Sequence, residues 1–178
     1  SVDRIDCEGT LRVTLALTAA PDIITNPTDI ALVLDRSGSM AGTPLTNMKA
    51  CANTFIDIIA EATGGAADGQ IGSGSHIGIV SFSSTATDDT QLITSVDTLK
   101  NAVNALSAGG NTNHGDAFTK AIGLFDAASS NHKVIVMFTD GNTTTGLPPA
   151  PIAAAARAQG ITIYCIGLVG SDGVDINA

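Results

Sequence analysis

Five consecutive apolar residues, Ile30-Ala31-Leu32-Val33-Leu34, closed by Asp35, restrict the fold more than any other feature of the chain. A strand with one wet face alternates apolar and polar residues. An unbroken run is what a strand buried on both faces needs, and such strands belong to parallel sheets covered by helices. The sequence supplies the cover at once: Leu45, Met48, Ala52, Phe55, Ile56 and Ile59 recur three and four apart, as on one helix face. Further strands are expected at 77–82, 134–138 and 161–168, and a short one near 91–94. Ser95 is placed to cap a helix carrying Val96, Leu99, Val103 and Leu106. A further helix starts near Gly115, with Phe118, Ala121, Ile122 and Phe125 on one side. Pro151 suits the first turn of an Ala-rich helix that Gly160 closes. The expected fold is α/β: a doubly wound, mainly parallel sheet with helices on both faces, residues 89–94 forming a short antiparallel edge.

Residues 1–28 break this rhythm and read as an N-terminal extension. Leu11, Val13, Leu15 and Leu17 alternate with Arg12, Thr14, Ala16 and Thr18, the pattern of an extra strand with one wet face. Hydrophobic residues make up 44% of the chain and charged ones 14%, a balance that builds a core and argues against disorder. No stretch approaches the roughly 18 apolar residues of a membrane-spanning helix. The formal net charge of −9 repels phosphate backbones and anionic lipid, so basic proteins and cations suit this surface better than nucleic acid or membrane. Cys7, Cys51 and Cys165 lack the CxxC spacing of a zinc site, and Cys51 and Cys165 are expected as small buried hydrophobes.

The chemistry concentrates at three strand ends. Asp35-Arg36-Ser37-Gly38-Ser39 follows the first buried strand directly, where a doubly wound sheet opens its ligand crevice. A carboxylate and two hydroxyls at alternate positions converge if the turn is tight, and Gly38 permits that. Asp140-Gly141 ends the strand 134–138, and a Gly-rich loop, Gly109-Gly110-Asn111-Thr112, leads into a helix. Two carboxylates and three hydroxyls make an all-oxygen donor set, which suits Mg²⁺, with Ca²⁺ or Mn²⁺ as competitors.

These residues resemble the von Willebrand factor type A domain with a metal-ion-dependent adhesion site. Asp35-Arg36-Ser37-Gly38-Ser39 is similar to its D-x-S-x-S signature, Thr112 with Gly115 and Ala117 to its T-x-x-G-x-A loop, and Asp140-Gly141 to its last acidic motif. The resemblance implies that Asp35, Ser37, Ser39, Thr112 and Asp140 hold the metal. It also implies that an Asp or Glu carboxylate of a protein partner completes the coordination. It places the domain at 29–178, short of the strand and helix with which the family normally closes. Asn111 departs from the common Gly-Gly-Thr spelling.

The function this implies is cation-dependent adhesion at a bacterial surface or pilus. The alternative is an intracellular scaffold subunit of a chelatase-type assembly using the same metal site, and a metal-dependent hydrolase is a third reading. The chain holds no G-x-S-x-G elbow and no Walker-type G-K-[ST], and Ser37 stands where a dehalogenase-like phosphatase needs a second Asp. Arg36 reads as solvent-facing or ion-paired, Asp116 as a partner of a helix N-terminus, and Asp88 and Asp89 as exposed turn residues. His114 lies beside Thr112, where a histidine either lines the ligand face or, as a lone one in a polar loop usually is, is solvated; it is read as solvated, and His76 and His132 read as structural.

Overall fold

The computed structural model describes residues 26–168. They run β1 (Thr28–Asp35), α1 (Thr43–Ala62), β2 (His76–Phe82), β3 (Ala86–Asp88), α2 (Val96–Ala105), α3 (His114–Gly123), β4 (His132–Thr139), α4 (Pro149–Ala158) and β5 (Thr162–Gly167). The strands form one sheet in the order β3-β2-β1-β4-β5. β2 and β4 flank β1 in parallel, β5 extends β4 in parallel, and β3 alone pairs antiparallel.

Every residue of β1 is buried because the strand serves two cores. Ile30, Leu32 and Leu34 pack with Met48, Ala52 and Ile56 of α1 and Leu99 and Val103 of α2. Ala31 and Val33 point the other way, toward Ala117, Phe118 and Ala121 of α3 and Ala156 of α4. Each fully buried Leu or Ile contributes about 1.5–3 kcal/mol, so the unbroken run is the cost of being central. The register sets Leu32 between Ile79 and Val136, keeping each face apolar across three strands.

Helix ends follow local chemistry. The Ser95 hydroxyl accepts the Thr98 N–H at 3.3 Å, and the Asn113 side chain caps α3 by accepting the Asp116 N–H at 3.1 Å. Pro149 opens α4, with Pro151 in its first turn, and Gly160 leaves it at φ +81°.

The antiparallel edge lies earlier than residues 89–94. Ala86–Asp88 pair with β2, whereas 91–94 contribute a single bridge, Ile77 to Ile93. Side chains interrupt the ladder: the Asp89 carboxylate accepts the Ser81 N–H at 2.7 Å, and the Thr90 hydroxyl accepts the Ile79 N–H at 2.9 Å. Those oxygens take two donors that strand carbonyls would otherwise receive. Asp89 is therefore a half-buried structural residue and not an exposed turn residue, while Asp88 is exposed but ends β3 instead of lying in a turn.

Cys51 and Cys165 are exposed, against expectation. Cys165 sits in β5, the outermost strand among the described residues, where Ile163 and Ile166 take the core-facing positions. Cys51 falls on the outer side of α1 beside buried Ala52. The expected N-terminal strand, Cys7 and the residues beyond 168 lie outside the described residues.

Candidate metal centre

All five candidate ligands lie at the carboxyl edge of the sheet. Asp35 ends β1, Ser37 and Ser39 occupy the turn after it, and Asp140 follows β4 directly. Asp35, Ser37, Thr112 and Asp140 are buried, and Ser39 is half-buried. One Asp35 oxygen accepts the Ser37 N–H at 2.8 Å, which folds the turn back onto the strand end. The Ser37 and Ser39 hydroxyls lie 3.1 Å apart, and Ser39 donates to Asp140 Oδ1 at 3.0 Å. Oxygens from two separate strand ends thereby meet at hydrogen-bond distance.

The backbone holds the third loop against this turn. Gly109 N–H donates to Arg36 O at 2.8 Å, and Gly38 N–H donates to Gly110 O at 2.9 Å. Gly110 has φ +84° and packs against Ser83 and Ser84, and Ser84 accepts the Asn111 N–H at 3.0 Å. Thr112 joins through its backbone: its N–H donates to the Thr144 hydroxyl at 2.9 Å, and its carbonyl accepts the Thr144 and Thr145 N–H groups at 2.9 and 3.1 Å. Asn111 therefore leaves the Thr112 loop docked beside both other segments.

Residues outside the five candidate ligands support the site. His114 opens α3 and is buried, contrary to its reading as a solvated loop residue. Its Nδ1 lies 2.7 Å from the Thr143 hydroxyl and its Nε2 2.9 Å from the Thr139 hydroxyl. Its ring centroid is 5.2 Å from that of Phe82. Burial pushes the His114 pKa down, more than the nearby Asp35 charge raises it, which favours the uncharged ring. Thr139 in turn donates to the second Asp35 oxygen at 2.7 Å. The one available signal was position, since Thr139 directly precedes Asp140 and His114 lies two residues past Thr112.

Arg36, Asp116 and His76 make structural contacts. Arg36 donates from Nε to the Ser81 hydroxyl at 3.2 Å. Asp116 accepts the Ala86 N–H at 2.7 Å and so ties β3 to α3. His76 pairs with Asp29 at 2.9 Å at the opposite end of the sheet, and His132 is exposed.

The donor set fits a hard divalent ion: hydroxyl and carboxylate oxygens only, from segments already in contact. Among the described residues no three His, Cys, Asp or Glu side chains gather as a metal cluster. A family model for the von Willebrand factor type A domain matches residues 29–177. The chain belongs to this family. Von Willebrand factor A domains commonly act as metal-dependent protein-interaction modules. Similar solved structures include the domain of the type V pili tip protein Mfa5 from Porphyromonas gingivalis, at 22% identity and TM-score 0.60, covering 67% of this chain and 40% of that one. A von Willebrand factor type A protein from Catenulispora acidiphila has 25% identity and TM-score 0.65, covering 80% of this chain and 33% of that one. Proximal thread matrix protein 1 of the mussel byssus, solved with a zinc-occupied MIDAS motif, has 24% identity and TM-score 0.66, with coverage of 81% and 36%. The chain thus spans less than half the length of these three proteins. No curated protein matches it.

Proposed function

We propose that this von Willebrand factor A domain is a divalent-cation-dependent protein-binding module and not an enzyme. Asp35, Ser37, Ser39, Thr112 and Asp140 would hold Mg²⁺, with Ca²⁺ or Mn²⁺ as competitors. The bound cation would supply a positive centre that an Asp or Glu carboxylate of a partner protein completes. The observation that carries this reading is the contact chain from Ser37 Oγ to Ser39 Oγ at 3.1 Å and on to Asp140 Oδ1 at 3.0 Å. Each hydroxyl here is satisfied by a neighbour, and each can instead turn its lone pairs to an ion at little cost. Asp35 is held from both sides, by the Ser37 N–H and the Thr139 hydroxyl. Three of the five proposed ligands are neutral hydroxyls, so the set falls short of an all-carboxylate cage and leaves the ion able to take an incoming anion.

A bacterial surface or pilus is the setting we favour. The likeness to the Mfa5 pili tip domain supports it, as does a chain with only 8 Lys and Arg and a net charge of −9. No helix among the described residues is long and apolar enough to cross a membrane. The partner's acidic residue would need basic or neutral surroundings to approach so acidic a surface.

The test uses acetate as a minimal carboxylate. Backbone amide signals of Ser37, Ser39 and Gly141 should move on adding acetate when Mg²⁺ is present and stay still in EDTA. In parallel, capture of fibrillar matrix proteins should require Mg²⁺. Capture that is equally strong in EDTA would move recognition to another surface, and metal-dependent ester hydrolysis lost in Asp140→Asn would replace adhesion with catalysis.

A further inference from the structure

We propose that His114 is a positioning residue that orients the Asp35 carboxylate through the Thr139 hydroxyl, as a hydrogen-bond relay with one fixed direction. This rests on Asp35 serving a bound cation, as proposed above. The direction follows from counting protons. A threonine hydroxyl has one proton to give. Thr139 Oγ1 lies 2.7 Å from Asp35 Oδ2 and 3.4 Å from the Gly141 carbonyl, so the proton goes to Asp35. The same Oγ1 is 2.9 Å from His114 Nε2, and with its proton committed it accepts there. Nε2 therefore carries the ring proton. Nδ1 is then the acceptor, and the Thr143 hydroxyl 2.7 Å away is its donor. The relay reads Thr143 to His114 to Thr139 to Asp35.

A histidine kept only for packing would leave its ring nitrogens to whatever was nearest. Here both are engaged, and the ring is clamped by Phe82 in a buried slot. The relay ends on the Asp35 oxygen that the Ser37 N–H does not use. Both oxygens of Asp35 are thus aimed by protein donors, one from its own turn and one from β4. His114 also opens the helix that follows Thr112, so a single side chain links the Thr112 loop, β4 and the Asp35 turn. Residues in this position around a metal typically change affinity 10–100-fold when lost.

The experiment uses the full chain and Mg²⁺ titration calorimetry, with ¹⁵N spectra of the histidine rings in metal-free protein. The wild type should show a protonated Nε2 and a bare Nδ1 at His114. His114→Leu fills the slot without a donor and should weaken Mg²⁺ binding about tenfold to a hundredfold, with cooperative melting retained. His114→Gln, whose amide can donate to Thr139 and accept from Thr143, should recover most of the loss. Thr139→Val should match His114→Leu, and the double variant should be no worse than either single one, because both cut the same relay. A protonated Nδ1, additive losses, or wild-type affinity in a folded His114→Leu would overturn the positioning role while leaving the metal reading intact. If wild type and Asp35→Ala both fail to take up Mg²⁺, the metal reading falls, and the role given to His114 falls with it.

Discussion

Ser39 is the least buried of the five proposed ligands, and its hydroxyl bridges Ser37 and Asp140. Ser39→Ala should therefore cost little in folding, about 1 kcal/mol or less for one part-exposed hydrogen bond. Mg²⁺ affinity should nevertheless fall by more than about tenfold, since a direct ligand matters at least as much as its supports. Asp35→Ala should abolish measurable binding. Calorimetry beside urea denaturation separates the two effects, and equal Mg²⁺ binding by wild type and Asp35→Ala would end the ligand assignment. Single residues were readable in the sequence where chemistry repeats in a short window, as with Asp35, Ser37 and Ser39. They were not readable where burial comes from distant partners. Nothing beside His114 in the chain indicates that Phe82, Thr139 and Thr143 will enclose it. Cys165 sits in an apolar segment, yet in the outermost of the described strands its side is exposed.

At the scale of elements, β1 and β4 were plain because residues buried on both faces must be continuously apolar. β3 was hidden because Ala86, Thr87 and Asp88 carry no such pattern; partners place them, notably the Asp116 carboxylate on the Ala86 N–H. Helix α3 offers a paired test. A Cβ at Gly115 would meet the Leu147 carbonyl at 2.4 Å, whereas one at Gly123 meets nothing within 4 Å. Gly115→Ala should push the 141–148 loop off α3, cost about 1–3 kcal/mol and weaken Mg²⁺ binding. Gly123→Ala should gain about 0.5–1 kcal/mol by relieving a helical glycine. Urea midpoints of the two variants check both signs. The break after β3 has a pH signature. Burial raises the Asp89 pKa above 3.8, against the Ser81 hydrogen bonds and Arg36, and Asp88 adds to the rise. A raised folded-state value means the folded chain holds the proton more tightly, so that stabilisation is complete below 3.8 and is lost as pH rises through the folded value. Asp89→Asn removes the titration. Its stability relative to wild type, read from urea curves of metal-free protein, should climb across that window and then level off.

For the whole molecule, the metal corner stands on loops above two cores that do not involve it. Chelation should therefore lower the melting temperature only as mass action requires, through a loss of about 2.7 kcal/mol of stability when Mg²⁺ had been at a hundred times its dissociation constant. The far-UV helical signal should survive EDTA, and its loss would make the ion a folding cofactor. Leu32→Ala should cost about 2–5 kcal/mol with or without Mg²⁺, because it opens a cavity at the centre of the sheet. The parallel order of β1, β4 and β5 also determines how the domain carries mechanical load. Thr28 begins β1 at the amino ends of the parallel strands, and Gly167 ends β5 at their carboxyl ends. Tension applied between those two points runs along the strands, so the β1–β4 and β4–β5 hydrogen bonds are strained together in shear and do not peel one at a time. Forced unfolding is set by the unfolding rate and not by equilibrium stability. A domain strung this way should yield at markedly higher force when pulled between Thr28 and Gly167 than when β5 is peeled from β4 across its width.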